Sequence, residues 1–345
     1  MSFFTPASKV IMRHSEKLKL CLVLFSGDLE DTLPARLEAA DVIVHTNKYH
    51  YWQQLSSIMG KRCHFGLTAD AKMAAVCDAL IYYWPKNQKE AMFNLQNLLS
   101  ILPIGTKIFI VGANRAGVRS SVSMIRDFGS LQKIDSASRC SLYYGLLEKR
   151  SHFSIRDWWG TYHIKDLTIA TLPGVFGCDG LDAGSSLLLS SLKLDKEEKV
   201  LDIGCGSGVL STVIARSFPK IQPTLTDVSA ASLESSHATL SANNIRGEVI
   251  ASDVYSNITG YFDIIVSNPP FHDGMQISLT VSEELIHGAP QHLKNNGKLC
   301  IVANAFLPYP RILNKVFGAY EVLAQTERFK VYLACLKRTA ITFKN

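Results

Sequence analysis

Lys199-Val200-Leu201-Asp202-Ile203-Gly204-Cys205-Gly206-Ser207-Gly208 decides the fold. A short run of strand type feeds into three glycines at spacing G-x-G-x-G, so the backbone can turn tightly and approach a ligand where a Cβ would collide. A strand entering such a turn is the nucleotide-binding end of an open α/β sheet. The dinucleotide fingerprint needs a further glycine where Val209 stands, and no Gly-Lys-Ser/Thr phosphate loop occurs, which leaves nicotinamide and ATP weak readings.

Downstream, β-branched runs alternate with amphipathic stretches: Val209–Ser217 as helix, Pro223–Asp227 as strand, Ala230–Asn243 as helix, Gly247–Ala251 and Phe262–Ser267 as strands, Leu279–Leu293 as helix, then strands Gly297–Ala303 and Phe329–Leu336. That is βαβα order with a mostly parallel sheet. Tyr320–Ala324 and Arg328–Leu336 are placed to form an antiparallel edge hairpin.

Asn268-Pro269-Pro270-Phe271 closes the strand Phe262–Ser267. A polar amide and prolines at the carboxyl end of a strand fix acceptors at the crevice, where an exocyclic amine can be held for attack. A sulfonium methyl is already an activated electrophile, so the enzyme mainly aligns nucleophile, methyl carbon and leaving sulfur. If Asn268 Oδ1 and the Pro269 carbonyl each accept an N–H, the amine lone pair points at the methyl and fixed dipoles stabilise the charge developing on nitrogen. Phe271 offers a face on which a flipped base can stack. Such chemistry needs no metal and no covalent intermediate.

Four carboxylates and one aromatic complete the expected cofactor site. Asp202 and Asp227, at successive strand ends, suit a ligand carrying an amine and a ribose, and Asp253 is placed to accept from an adenine amino group. Helix capping for Asp227 and turn formation for Asp253 are the competing structural roles. Asp182 would cap the apolar helix Ser186–Leu192, and Phe176 among its glycines could close over the methionine end of a cofactor. Gly204, Gly206, Gly208 and Asn268 complete the cofactor-binding set.

Residues 1–150 carry a weaker copy of the same order, with Leu20–Ser26, Val42–His45, Ala79–Trp84 and Lys107–Gly112 as strands. Asp78–Pro85 overlays Asp263–Pro270 without a gap, and Pro103–Val111 echoes Asn296–Val302. The copies differ where chemistry would be: Phe25-Ser26-Gly27-Asp28-Leu29 replaces the glycine turn, and Tyr83-Trp84-Pro85-Lys86 replaces Asn-Pro-Pro-Phe. The expected architecture is α/β, two tandem Rossmann-like methyltransferase domains, over residues 1–160, degenerate, and 161–345, catalytic. Trp158-Trp159-Gly160-Thr161-Tyr162 and Leu167–Leu172 would form a packed connection between them.

The 345 residues carry a net charge of +6, unevenly placed. Residues 1–165 hold 21 Lys/Arg against 13 Asp/Glu, and residues 166–345 hold 15 against 17. A basic first half is suited to a polyanion; Lys86, Lys89, Arg115 and Arg119 are its candidate phosphate contacts. Eight scattered cysteines without a C-x-x-C pair read as reduced core residues of a cytoplasmic protein, and no targeting or membrane-spanning segment is expected.

These residues resemble the class I S-adenosylmethionine-dependent methyltransferases of the Asn/Asp-Pro-Pro-aromatic group, which modify exocyclic amines of bases or the amide of a protein glutamine. The likeness is closest, nearly end to end, to the bacterial family of 16S rRNA guanine-N2 methyltransferases. It is carried by Phe4–Ser8, Leu80–Asn87, Thr171–Phe176, Ser267–Gln276 and Val302-Ala303-Asn304-Ala305-Phe306-Leu307-Pro308-Tyr309-Pro310. The resemblance implies tandem domains of which the first has lost cofactor binding, S-adenosylmethionine as cofactor with S-adenosylhomocysteine as product, guanine N2 of 16S rRNA in the small ribosomal subunit as acceptor, and a monomeric enzyme. Three alternatives stand beside it: a large-subunit guanine-N2 methyltransferase; a protein-glutamine methyltransferase, against which Phe271 in place of the usual Tyr argues mildly; and an RNA-binding assembly factor with vestigial catalysis.

Overall fold

The structure, a computed structural model, describes residues 4–194, 199–269 and 275–337. The chain divides into two compact units, Met1–Trp159 and Gly160–Asn345.

In the first unit the strands are β1 (Leu22–Gly27), β2 (Asp41–Thr46), β3 (Cys63–Phe65), β4 (Ala79–Tyr83), β5 (Lys107–Ala113), β6 (Gln132–Ala137) and β7 (Cys140–Leu146). They lie in the order β3-β2-β1-β4-β5-β7-β6. The second unit opens with the antiparallel hairpin β8 (Gly160–Ile164) and β9 (Leu167–Thr171). Its main sheet comprises β10 (Lys199–Ile203), β11 (Gln222–Asp227), β12 (Glu248–Ala251), β13 (Phe262–Ser267), β14 (Leu293–Asn304), β15 (Glu321–Gln325) and β16 (Phe329–Cys335). Their order, β12-β11-β10-β13-β14-β16-β15, repeats that of the first unit strand for strand. In both sheets the last two strands pair antiparallel with their neighbours and the rest are parallel. The duplication legible in the sequence is therefore a duplication of topology.

Burial on both faces explains the near-continuous apolar character of the central strands. Because successive side chains alternate faces, Ile264 and Val266 of β13 meet Leu188 of the helix Ala183–Ser191 and Leu210 and Ile214 of the helix Val209–Ser217. Ile265, from the same strand, packs on the opposite face with Leu285, Ile286 and Ala289 of the helix Met275–His292 and with Ile312 and Leu313 of the helix Tyr309–Phe317. Each such fully buried aliphatic side chain contributes about 1.5–3 kcal/mol, which anchors both flanking layers to β13.

Several boundaries differ from the sequence reading. Strand β1 starts at Leu22, because Leu20 is 92% exposed and lies outside the core. Strand β14 starts at Leu293 rather than Gly297; Asn296 takes a positive φ of 60° within it, and the pairing with β13 shifts register between Phe262 and Ile264. The segment Trp158–Leu172 is a hairpin beginning at Gly160, preceded by a 3-10 turn over Ile155–Trp158. Among the described residues no helix is long and apolar enough to cross a membrane.

Candidate active site

Sheet order reverses on either side of β10, between β11 and β13. At such a switch point the connections leave in opposite directions and open a crevice beyond the carboxyl ends of the strands. The glycine turn stands there: Gly204, Gly206 and Gly208 all have positive φ, of 72°, 56° and 75°. Gly204 and Cys205 donate to the Thr226 carbonyl at 2.8 and 2.9 Å, which ties the turn to β11.

Asp227 holds the same turn from the side. Its Oδ2 accepts from the Gly206 N–H at 3.0 Å and its Oδ1 from the Ser229 N–H at 2.8 Å, just before the helix Ala230–Ala242. Asp227 thus closes a turn ahead of the helix, whose N-cap is Ser229, so the competing role is present as a turn and not as a helix cap. Asp253 sits two residues past the end of β12, which pairs with β11 at Asp227 and Ala251. Its backbone closes a turn with Ser256, while Val254 beside it is held at φ 47°, an unusual conformation for a β-branched residue. The two carboxylates therefore share one stretch of the sheet rim.

Asp202 departs from expectation. It is completely buried beneath the turn, with Oδ2 accepting from the Ser211 hydroxyl at 2.8 Å and the Ser211 N–H at 3.3 Å. Because the side chain is sealed off, direct contact with a ligand amine is replaced by support of the turn and of the helix that follows. Its Oδ1 has no hydrogen-bond partner among the described residues. Burial pushes the carboxyl up to about 7, Ser211 opposing and the charge of Asp227 adding to the rise.

Asn268 follows β13 directly, where the pairing of Ile203 with Ser267 sets it level with Gly204. Ser267 fixes that level, its hydroxyl donating to the Ile203 carbonyl at 2.7 Å. The Asn268 amide nitrogen donates to Asp182 Oδ1 and Oδ2 at 3.1 and 3.3 Å and to Ser185 Oγ at 2.9 Å. Asn268 Oδ1 is buried and has no hydrogen-bond partner among the described residues. Since a carboxylate accepts and does not donate, this contact settles which end of the amide faces which way.

Asp182 has two roles in the structure: besides orienting Asn268, its Oδ1 accepts from Gly184 N–H at 2.9 Å and Ser185 N–H at 3.1 Å as the N-cap of the helix Ala183–Ser191. Gly184 is part of the same arrangement, because a Cβ there would stand 3.1 Å from Asp182 Oδ1 and 3.5 Å from Asn268 Nδ2. Phe176 lies next to the glycine turn through its backbone, whose oxygen would be 3.7 Å from a Cβ on Gly206, and its side chain is 53% exposed. Pro269 is buried beside Asn268; Phe271 lies outside the described residues.

Ser185, Ser211 and Gly184 join the site only in the folded chain. The D-x-x-S spacing of Asp182 and Ser185 is the one sequence signal for them, since a capping residue reaches the N–H groups of the first turn. Tyr162 of β8, which no motif marks, packs against Leu167, Ile169 and Val209, the first residue of the helix after the glycine turn. The Tyr162 hydroxyl is buried without a hydrogen-bond partner among the described residues, and burial pushes the phenol up.

The first unit shows what replaced this arrangement. Gly27 pairs with Tyr83 at the level of Gly204 and Asn268. Tyr83 is buried, with its hydroxyl 2.6 Å from Ser8 Oγ and its ring stacked on Phe25 at 6.3 Å between centroids. Beside it, burial pushes Asp28 up to about 6, with Lys48 and Lys86 pulling down and Glu90 and Glu30 pushing up. Lys48 Nζ lies 3.5 Å from Glu90 Oε1, to which Asn47 also donates at 3.1 Å. Side chains of the protein itself thus interact where the second unit has its acceptor Asn268 and glycine turn.

Lys86, Lys89, Arg115 and Arg119 are all exposed on the first unit. Arg119 lines an open groove together with Arg126, Lys133, Ser123, Ser130 and Tyr143, a lining that contains no acidic residue.

The chain matches two families end to end: "Methyltransferase small domain N-terminal" over residues 8–162 and "Methyltransferase small domain" over residues 166–333. It is 58% identical over 338 residues to the ribosomal RNA small subunit methyltransferase C of Serratia proteamaculans, covering 98% of this chain and 97% of that protein. The chain belongs to the ribosomal RNA small subunit methyltransferase C family. Another member, from Citrobacter koseri, is 57% identical over 99% of both chains. A solved structure, the T. thermophilus 16S rRNA N2 G1207 methyltransferase in complex with AdoMet and guanosine, superposes with a TM-score of 0.82 over 98% of this chain and 93% of that one, at 22% identity. That likeness establishes the tandem fold for this member of the methyltransferase C family.

Proposed function

We propose that this chain transfers a methyl group from S-adenosylmethionine to the exocyclic N2 of a guanosine in 16S rRNA of the small ribosomal subunit. The observation that carries the reading is Asn268: its amide is oriented by Asp182, and its oxygen is a buried acceptor with no partner of its own among the described residues. A buried acceptor left unmatched costs about 1–3 kcal/mol, and a substrate amine placed there would remove that cost.

The residues present fit the cofactor. Gly204 and Gly206 let the backbone approach it, Asp227 has acceptor capacity for ribose hydroxyls, and Asp253 stands one strand over for an adenine amino group. S-adenosylmethionine, when bound, supplies a methyl group on a sulfonium centre. Asn268 Oδ1 accepts one N–H of the guanine amine, drawing the nitrogen out of conjugation with the ring so that its lone pair faces the methyl donor. The carbonyl dipole, already oriented, stabilises the positive charge that develops on nitrogen. The alkylated amine is acidic enough to lose its proton to water, so the site needs no dedicated base.

On this reading the first unit grips RNA. Exposed Lys86, Lys89, Arg115 and Arg119 supply phosphate contacts, and the groove containing Arg119, Arg126 and Lys133 extends them. The enzyme works as a monomer in the cytoplasm, where its ribosomal substrate resides. Incubating the chain with small subunits and methyl-labelled S-adenosylmethionine, then digesting the RNA to nucleosides, tests the proposal. Label in N2-methylguanosine is expected; label only in other nucleosides or in ribosomal protein would overturn it.

A further inference from the structure

The segment Val302–Pro310 carries family resemblance, yet methyl transfer leaves one of its residues without a role. Phe306 is 75% exposed, the most exposed aromatic among the large hydrophobic residues of the described chain. Its neighbours are the opposite: Leu307 is 7% exposed, Tyr309 is fully buried, and Val302 and Ala303 are fully buried in β14. The backbone on both sides is held as well. Ala305 N–H donates to the Arg328 carbonyl at 2.8 Å, and Leu307 N–H donates to the Asn304 carbonyl at 3.1 Å. Phe306 is therefore turned outward by a braced backbone, and packing of the unit gives no reason for an aromatic there.

Its position supplies one. Strand β14 is the neighbour of β13, with Ile301 paired to Ser267, so the carboxyl end of β14 lies on the rim beside Asn268. Phe306 stands just beyond that end. The turn that braces it presents Arg328, whose side chain is exposed and lies 5.6 Å from the Phe329 ring. An outward aromatic face braced against a turn that carries exposed Arg328, with Glu327 before it, and one strand away from the acceptor of a nucleobase amine, matches the stacking surfaces on which unpaired bases are held.

We propose that Phe306 forms a base-stacking subsite for an unpaired nucleotide that flanks the target guanosine, with Arg328 placed for its phosphate. This inference rests on the functional reading above and extends it to the neighbouring nucleotide. The subsite takes any nucleobase, because stacking uses the ring face and not its hydrogen-bonding edge. Phe306 binds RNA and leaves the transfer step to Asn268.

The test compares Phe306→Ala, Phe306→Leu and Phe306→Trp in the full chain, on small ribosomal subunits lacking the methyl mark and on a single-stranded RNA oligonucleotide. Calorimetric S-adenosylmethionine binding serves as the folding check. Loss of one stacked base predicts a rise in KM for subunits, and in Kd for the oligonucleotide, of roughly 5- to 150-fold in Ala and Leu, with kcat retained. Trp, which keeps a flat ring, should stay near the parent chain. Parental KM and Kd in Ala and Leu, or a Trp variant as weak as Ala, would overturn the proposal. If the parent chain left subunits unmethylated, the functional reading would fail, and oligonucleotide binding alone would still judge Phe306.

Discussion

Asn268 and Asp182, 86 positions apart in sequence, form a fixed pair in which the amide nitrogen lies 3.1 and 3.3 Å from the two carboxylate oxygens. The pair converts a floppy amide into an oriented dipole before any substrate arrives. A preorganised dipole needs no rearrangement as charge develops, and such groups are among the largest contributors to catalysis.

Replacing Asp182 by Asn separates its two jobs. Asn is as good an N-cap as Asp, so the thermal midpoint should stay close to that of the parent. A neutral amide at 182 can present either its oxygen or its nitrogen to Asn268, and Asn268 would then turn over. The expected outcome is a fall in kcat of about 10- to 100-fold, somewhat below the effect of deleting a preorganised group outright, with KM for RNA little changed. An unchanged kcat would remove the positioning role.

Asp202 gives a pH signature. Its carboxyl is raised by burial from an ordinary 3.8 to about 7, so the folded chain binds more protons than the unfolded chain across that interval. Its contribution to stability is therefore present at low pH and is lost as pH rises from about 4 to about 7. Asp202→Asn keeps an acceptor for Ser211 and removes the titration. Thermal midpoints of parent and variant, without cofactor, should diverge in favour of the variant as pH rises through this window. Parallel curves would show that Asp202 does not titrate there.

RNA binding should be strongly salt-dependent. Removing one cation that neutralises a phosphate lowers the slope of log K against log salt by about 0.7 for single strands and 0.9 for duplex. Substituting Arg119, Arg126 and Lys133 with Ala, singly and together, should reduce the slope stepwise while S-adenosylmethionine affinity holds. Slopes identical to the parent would place the RNA elsewhere.

The fold is legible in the sequence because its determinants are local. The apolar runs Lys199–Ile203 and Phe262–Ser267 and the three glycines specify a strand, a turn and a central strand without reference to distant residues, and both strands end where the residues predict. The edge strand β6 is not legible: Gln132–Ala137 is polar and largely uncovered, so no apolar period marks it. Of the candidate site, Asn268 and the glycine turn are visible as residue types at a strand end. The function of Asp182 is not, since it depends on a hydrogen bond across 86 positions that only the folded sheet creates. Asp202 misleads for a related reason: a carboxylate at a strand end looks available for ligand, and only packing under the turn and Ser211 conceals it.

The proposed mechanism rests above all on Asn268 Oδ1 as the acceptor that activates the amine. Single-turnover transfer to small ribosomal subunits by Asn268→Ala, with S-adenosylmethionine affinity measured on the same sample, isolates that role. A fall in the transfer rate of about 10²–10³-fold at nearly unchanged cofactor affinity is predicted, the scale of losing one preorganised group. A parental rate in the variant would mean that the amine is activated by some other group.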